Sequence, residues 1–134
     1  MAAILIVDDE PDIVTLLRFV LTQDGHLIFD ASNGQVALER LGIEPVASTP
    51  LPDLIILDIM MPVMDGYQLN MRLQTESRAK NIPILVLTAK GQKMRDLFEM
   101  APNVAAYVQK PFDPKMLREL ITGILASCGE KKNV

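Results

Sequence analysis

An α/β sandwich around a five-stranded parallel sheet is the fold this sequence predicts, on three observations. Five short apolar runs recur along the 134 residues. Several lack the polar alternation of a half-exposed strand, so they read as strands covered on both faces, as in a parallel sheet. Segments with helical spacing separate them, and strand–helix alternation of this kind builds layered α/β domains with right-handed crossovers.

The strands are expected at "AILIV" (3–7), "LIFDA" (27–31), "DLIIL" (53–57), "PILVL" (83–87) and "VAAYV" (104–108). Ile13, Leu16, Leu17, Val20 and Leu21 fall at i, i+3, i+4, i+7 and i+8, the apolar stripe of a helix packed on a core. Leu117, Leu120, Ile121, Ile124 and Leu125 repeat that stripe near the C-terminus, and Met94, Leu97, Phe98 and Ala101 make a shorter one. Pro11 and Pro114 stand where a first helical turn accepts proline, and Asp113 is a natural N-cap. Asp24-Gly25 and Asn33-Gly34 read as turns. "GIEPVASTPLPD" (42–53), with three prolines, reads as a long exposed loop. No internal repeat or linker interrupts the pattern. Residues 1–127 are expected to form one domain, with 128–134 a flexible tail.

A formal charge of −4 and a pI near 4.9, without a Lys/Arg cluster, argue against direct nucleic-acid binding. No apolar run approaches the ~20 residues of a membrane span, and no basic residue precedes the first run as in a signal peptide. A soluble, cytoplasmic protein is expected. Cys128 is the lone cysteine, which excludes an internal disulfide and reads as a surface thiol.

Ligands of an open parallel sheet bind beyond the carboxyl ends of its strands. There the sequence places Asp8-Asp9 after strand one, Asp58 after strand three, Thr88 after strand four and Lys110 after strand five. Two unit charges ~5 Å apart repel by ~3 kcal/mol at an effective dielectric of ~20, so three carboxylates together need a counter-cation. Oxygen ligands select a hard ion, and a site that also handles phosphate points to Mg²⁺. Asp58, single and central on the rim, is placed to attack a phosphoryl group and form an acyl phosphate, with Thr88 donating its hydroxyl to a phosphoryl oxygen. Taken singly, each residue has an ordinary reading: Asp9 or Glu10 caps the first helix, Thr88 caps a helix, Lys110 is a surface lysine, and Asp58 is a loop acid. Their coincidence at four strand ends favours chemistry. Asp12, Asp53, Asp65 and Asp113 are assigned to caps and turns. His26 follows a turn at the opposite edge of the sheet, which excludes a hydrolytic triad at the rim.

The motifs "ILIVDDEPD", "LIILDIMMPVMDG", "LTAK" and "YVQKPF", in this order and spacing, resemble the receiver domain of bacterial two-component response regulators over residues 3 to about 126. The resemblance implies the flavodoxin/CheY-like three-layer (βα)5 sandwich with strand order 2-1-3-4-5. It implies Asp58 as phosphoacceptor, receiving its phosphoryl group from a sensor histidine kinase or histidine phosphotransfer protein. Mg²⁺ would be held by Asp9, Asp58 and the backbone carbonyl of Met60, with Asp8 acting largely through water. Lys110 would pair with phosphoryl oxygens, Thr88 and Tyr107 would form a switch pair, and the Lys110-Pro111 peptide would be cis. A downstream protein target is expected on the face made by the fourth helix, the fifth strand and the fifth helix. The chain is expected to be a monomer or weak dimer. It is not expected to be a conventional enzyme, since it catalyses only its own phosphorylation and slow dephosphorylation.

Four features depart from the family pattern. The 42–52 loop is long, "APNVAAY" replaces a Gly-containing turn and acidic residues, Met60 and Lys90 occupy positions that tune dephosphorylation, and no output domain follows the last helix. Apolar Met60 cannot orient an attacking water, which predicts a phosphoryl lifetime of minutes or longer. A stand-alone regulator, or a receiver excised from a larger protein, is the resulting expectation. The alternative is a haloacid-dehalogenase-type, Mg²⁺-dependent small phosphatase, which requires an Asp-x-Asp pair where this chain has adjacent Asp8-Asp9, and a cap domain for which it has no room. A nucleotide-binding domain requires a glycine-rich loop where "DDEPD" stands. A receiver-like scaffold that is never phosphorylated is disfavoured by the complete set of acceptor-site residues.

Overall fold

The computed structural model of the chain describes residues 2–41, 51–59, 63–76, 79–88 and 103–132, apart from the side chains of Tyr67, Thr88 and 128–132. Residues 42–50 of the long loop, Met60, Lys90 and the predicted fourth helix around Met94 to Ala101 lie outside this set. The strands are β1 (Ala3–Val7), β2 (Leu27–Ala31), β3 (Leu54–Asp58), β4 (Ile84–Thr88) and β5 (Val104–Gln109). They form one parallel sheet in the order β2-β1-β3-β4-β5, as expected. The described residues also form α1 (Pro11–Gln23), α2 (Gly34–Arg40), α3 (Gly66–Gln74) and a C-terminal helix (Pro114–Lys132). That last helix extends into the segment expected to be a tail. Among the described residues, no helix is long and apolar enough to cross a membrane.

Side chains alternate across a strand, and this divides the core into two layers. Leu5, Val7, Ile55, Leu57, Ile84 and Val86 pack against Ala37 and Leu38 of α2 and Leu69 and Leu73 of α3. Ile4, Ile6, Leu54, Ile56, Leu85 and Leu87 pack on the other side against Leu17 and Leu21 of α1 and Leu117 and Ile121 of the C-terminal helix. β3 is buried along its whole length, which explains its unbroken apolar run. On α1 the buried stripe is narrower than predicted. At 100° per residue Leu16 sits at the edge of the face centred on Leu17 and Leu21, and it is 38% exposed.

Two strands start one residue later than predicted, at 54 rather than 53 and at 84 rather than 83. Asp53 clasps the start of β1 instead of entering β3: its amide donates to the Ala3 carbonyl at 2.7 Å and its carboxylate accepts from the Ala3 amide at 2.9 Å. Pro83 has no N–H to donate, and only its carbonyl joins a neighbour, accepting from the Ile55 amide at 3.0 Å. The shift makes Asp58 the last residue of β3, opposite Leu87. Asn33-Gly34 is a helix start rather than a free turn, because the Asn33 side chain accepts from the Val36 amide at 2.9 Å. Asp65 caps α3 by accepting from the Gln68 amide at 2.8 Å, Asp113 accepts from the Lys115 amide at 3.0 Å, and Gly25 turns the chain with φ +84. His26 accepts from the Ala2 amide at 3.3 Å, at the edge of the sheet away from the acids.

One irregularity decides which residues face the site. The pairing of β4 with β5 shifts between Ile84↔Val104 and Leu85↔Ala106, so Ala105 is an extra, bulged residue. Val104 and Tyr107 therefore pack on the same layer, that of α2 and α3, although they are three residues apart. Ala106 and Val108 turn to the opposite layer, and with them the position of Lys110.

Candidate functional site

Strand parity assembles the polar rim. Ile4 and Ile6 lead to Asp8, Leu54 and Ile56 lead to Asp58, and Ala106 and Val108 lead to Lys110, each series on the α1 and C-terminal helix side. Three strands thus deliver two carboxylates and one ammonium to the same corner, beyond their carboxyl ends. Asp8 and Asp58 are 2% and 4% exposed. The Lys110 ammonium lies 3.0 Å from Asp8 Oδ2, 2.9 Å from Glu10 Oε1 and 3.4 Å from Asp58 Oδ2.

Asp8 is held on three sides. Its amide donates to the Ala31 carbonyl at 3.1 Å, extending the β1–β2 ladder by one residue. Its Oδ1 accepts from the Glu10 amide at 2.9 Å, and its Oδ2 accepts from Lys110. The backbone that carries Asp58 is equally constrained. The Ile59 amide donates to the Leu87 carbonyl at 3.4 Å, and the Gly66 amide donates to the Ile59 carbonyl at 2.8 Å. A Cβ on Gly66 would lie 2.5 Å from the Asp58 carbonyl oxygen, so only glycine lets α3 begin this close to the strand end.

Carboxylate oxygens of Asp8, Asp9, Glu10 and Asp58 all fall within 4.8 Å of one another. Four carboxylates against one ammonium leave a formal surplus of three negative charges. This donor set is oxygen only and anionic, and it fits a hard divalent cation such as Mg²⁺. Burial opposes the charge on Lys110. Hydrogen bonds to Glu10 and Asp8, with the fields of Asp8 and Asp58, outweigh it, and the ammonium is pushed up from 10.5 to about 12. The lysine therefore stays charged throughout the physiological range.

Of the other expected residues, Thr88 ends β4 in register with Gln109 of β5, but its side chain lies outside the description, as does Met60. Tyr107 pairs with Val86 and is partly buried against the α2–α3 layer. The Lys110-Pro111 peptide is cis. Glu10 is the residue whose part sequence reasoning missed. It occupies the N-cap position of α1 but makes no side-chain cap, reaching Lys110 instead.

Of the four acids, Asp8 and Asp9 line a cavity of about 330 Å³ between α1 and the end of β2, together with Thr15, Arg18, Asp30 and Ser32 among others. Arg18 forms an ion pair with Asp30 and donates to the Ile28 carbonyl at 3.3 Å, bracing that wall. A second cavity, about 360 Å³ between β2 and α2, is lined mainly by apolar side chains such as Leu5, Phe29, Val36 and Leu41 and by none of the four clustered acids.

Comparison with known proteins agrees with this arrangement. The family model described as the response regulator receiver domain matches residues 4–122. The alkaline phosphatase synthesis transcriptional regulatory protein PhoP of Bacillus subtilis is 37% identical over 122 residues, which are 91% of this chain and 48% of that protein. Protein PilH of Pseudomonas aeruginosa is 33% identical over 128 residues, which are 94% of this chain and 99% of PilH. The crystal structure of a putative response regulator from Chloroflexus aurantiacus matches with a TM-score of 0.81 and 33% identity, covering 93% of this chain and 98% of that one. The chain spans about half the length of several curated relatives it matches, PhoP among them. None of these similarities supports the phosphatase alternative. The sheet order, the acid-and-lysine corner and the match over residues 4–122 together establish that this chain belongs to the response regulator receiver domains of two-component systems.

Proposed function

We propose that the chain is a phosphorylation-activated switch whose acceptor is Asp58. The observation that carries this reading is the convergence of Asp8, Asp58 and Lys110 from three strand ends, with the ammonium 3.0–3.4 Å from the two buried carboxylates. A carboxylate oxygen of Asp58 attacks phosphorus, and the bond from phosphorus to the donor's leaving atom breaks. Lys110, fixed in its charged state, stabilises the negative charge on the transferring group.

Receiver domains generally bind Mg²⁺ at an acidic pocket and interact with histidine kinases and downstream effectors. In this chain Asp9, Asp58 and the Met60 carbonyl would hold Mg²⁺, with Asp8 acting through water. The ion would offset the negative charge of the carboxylates and of the phosphoryl group. The donor is a phosphohistidine of a sensor kinase or phosphotransfer protein. Thr88 and Tyr107 form the switch pair, and the surface that includes β5 and the C-terminal helix presents the result to a protein target. A phosphoryl group adds charge and three strong acceptors, which biases a two-state loop that can donate to them. Residues 1–127 act as the phosphoacceptor unit.

Intact-mass measurement after treatment with acetyl phosphate and Mg²⁺ tests the reading. One added phosphoryl group, absent in Asp58→Asn, is the expected result. An unmodified chain, or modification that survives Asp58→Asn, sinks it.

A further inference from the structure

Glu10 stands at a helix N-cap, where a side chain ordinarily accepts from the first free amides. Here part of that need is met without it. Pro11 has no N–H, and the Ile13 and Val14 amides donate to the Glu10 backbone carbonyl at 3.1 and 3.2 Å. The Glu10 carboxylate instead reaches Lys110, 100 residues away in sequence, at 2.9 Å. That is the shortest of the three separations between Lys110 and a carboxylate, and Asp58 has the longest, 3.4 Å.

An ammonium carries three N–H donors, and two are engaged by Asp8 and Glu10. Asp8 is buried and has both oxygens bonded, so it is not free to move. The Glu10 side chain is 56% exposed and can swing into water. Of the two hydrogen-bonded partners, Glu10 is the one that can release the lysine.

We propose that Glu10 is a positioning residue that competes with the phosphoryl group for Lys110. It holds the ammonium toward the surface in the unphosphorylated chain and is exchanged for a phosphoryl oxygen during transfer to Asp58. The proposal rests on the reading of Asp58 as phosphoacceptor. In the step concerned, an Asp58 oxygen bonds to phosphorus as the bond between phosphorus and the donor breaks. With acetyl phosphate the electron pair departs on acetate, and no proton is transferred. A lysine held by a competitor is available for only part of the time, and the observed rate falls by that fraction.

The test compares wild type, Glu10→Gln and Glu10→Asp for the rate of phosphorylation by acetyl phosphate with Mg²⁺, followed by intact mass. Calorimetric titration with Mg²⁺ alone and thermal unfolding accompany it. Removing the charge in Glu10→Gln should speed phosphorylation about two- to five-fold, the range expected of an exposed ion pair. Glu10→Asp keeps the charge but is one methylene too short for Lys110, and it should be accelerated as Glu10→Gln is. Unfolding temperature should fall by no more than about 4 °C in either variant, because the helix start is kept, and Mg²⁺ affinity should stay within about two-fold in Glu10→Asp, which keeps the charge. A phosphorylated wild type whose two variants react no faster overturns the proposal and leaves the Asp58 reading standing. Tenfold weaker Mg²⁺ binding in Glu10→Asp, where the charge is kept, overturns it by making Glu10 a metal ligand. A wild type that takes no phosphoryl group removes the Asp58 reading, and this inference with it.

Discussion

Replacing glycine by alanine should have opposite effects at two helical positions of this chain. At Gly66, the first residue of α3, the new Cβ would lie 2.5 Å from the Asp58 carbonyl oxygen and 2.9 Å from the Ile59 Cα. Ordinary contact begins at 3.4 Å, so the backbone must yield by about 0.9 Å at the residue that ends β3. Forced contacts of this kind cost about 1–3 kcal/mol. The retreat also lengthens the bond from the Gly66 amide to the Ile59 carbonyl, now 2.8 Å, for about 1 kcal/mol more. Alanine's better helix propensity returns about 1 kcal/mol, which leaves Gly66→Ala destabilised by about 1–3 kcal/mol. At Gly123, in the C-terminal helix, an added Cβ meets nothing within 4 Å, so only propensity acts and Gly123→Ala should gain up to about 1 kcal/mol. Urea unfolding followed by circular dichroism measures both. A Gly66→Ala protein as stable as wild type, beside a stabilised Gly123→Ala, would refute the claim that α3 starts against the Asp58 carbonyl.

Val63 is β-branched and exposed, yet it has φ 70 in the connection between β3 and α3. Left-handed backbone costs such a residue about 1–2 kcal/mol, so Val63→Asn should raise stability by about 1 kcal/mol, and an unmoved urea midpoint counts against strain there. The Arg118 guanidinium hydrogen-bonds Asp24 and holds its carboxyl below 3.8, tying the end of α1 to the C-terminal helix. Because the folded value is the lower one, this contribution is complete above pH 3.8 and fades as pH falls through the folded value. The stability difference between wild type and Asp24→Asn should accordingly narrow on acidification below that point, and a constant difference in pH-resolved unfolding would exclude it. Mg²⁺ should stabilise the chain by mass action, about 2.7 kcal/mol at one hundred times its dissociation constant. Asp58→Asn should lose most of that increment in thermal unfolding, and full retention would place the ion elsewhere.

Local chemistry was enough to read much of this molecule. The apolar run "LIIL" is buried on both faces because β3 lies at the centre of the sheet, and Pro11, Asp65 and Asp113 start helices for reasons confined to their own turns. Asp8, Asp58 and Lys110 could be assigned to one rim because each follows an apolar run, and strand ends are where a parallel sheet binds ligands. The assignment of Asn33-Gly34 to a turn failed because a cap and a turn use the same residue types, and the difference lies in which amide the side chain meets.

Hydrophobic periodicity and strand-end chemistry by themselves determined the fold class and the acidic rim, since both are local properties of the chain. Only the tertiary structure decided the face that Tyr107 and Lys110 take, because one bulged residue at Ala105 reverses the parity of β5 and no local signal marks it. It alone also decided that Glu10 leaves its own helix to pair with Lys110. Partners 100 residues apart are chosen by strand order and register, which set distances that no stretch of sequence contains.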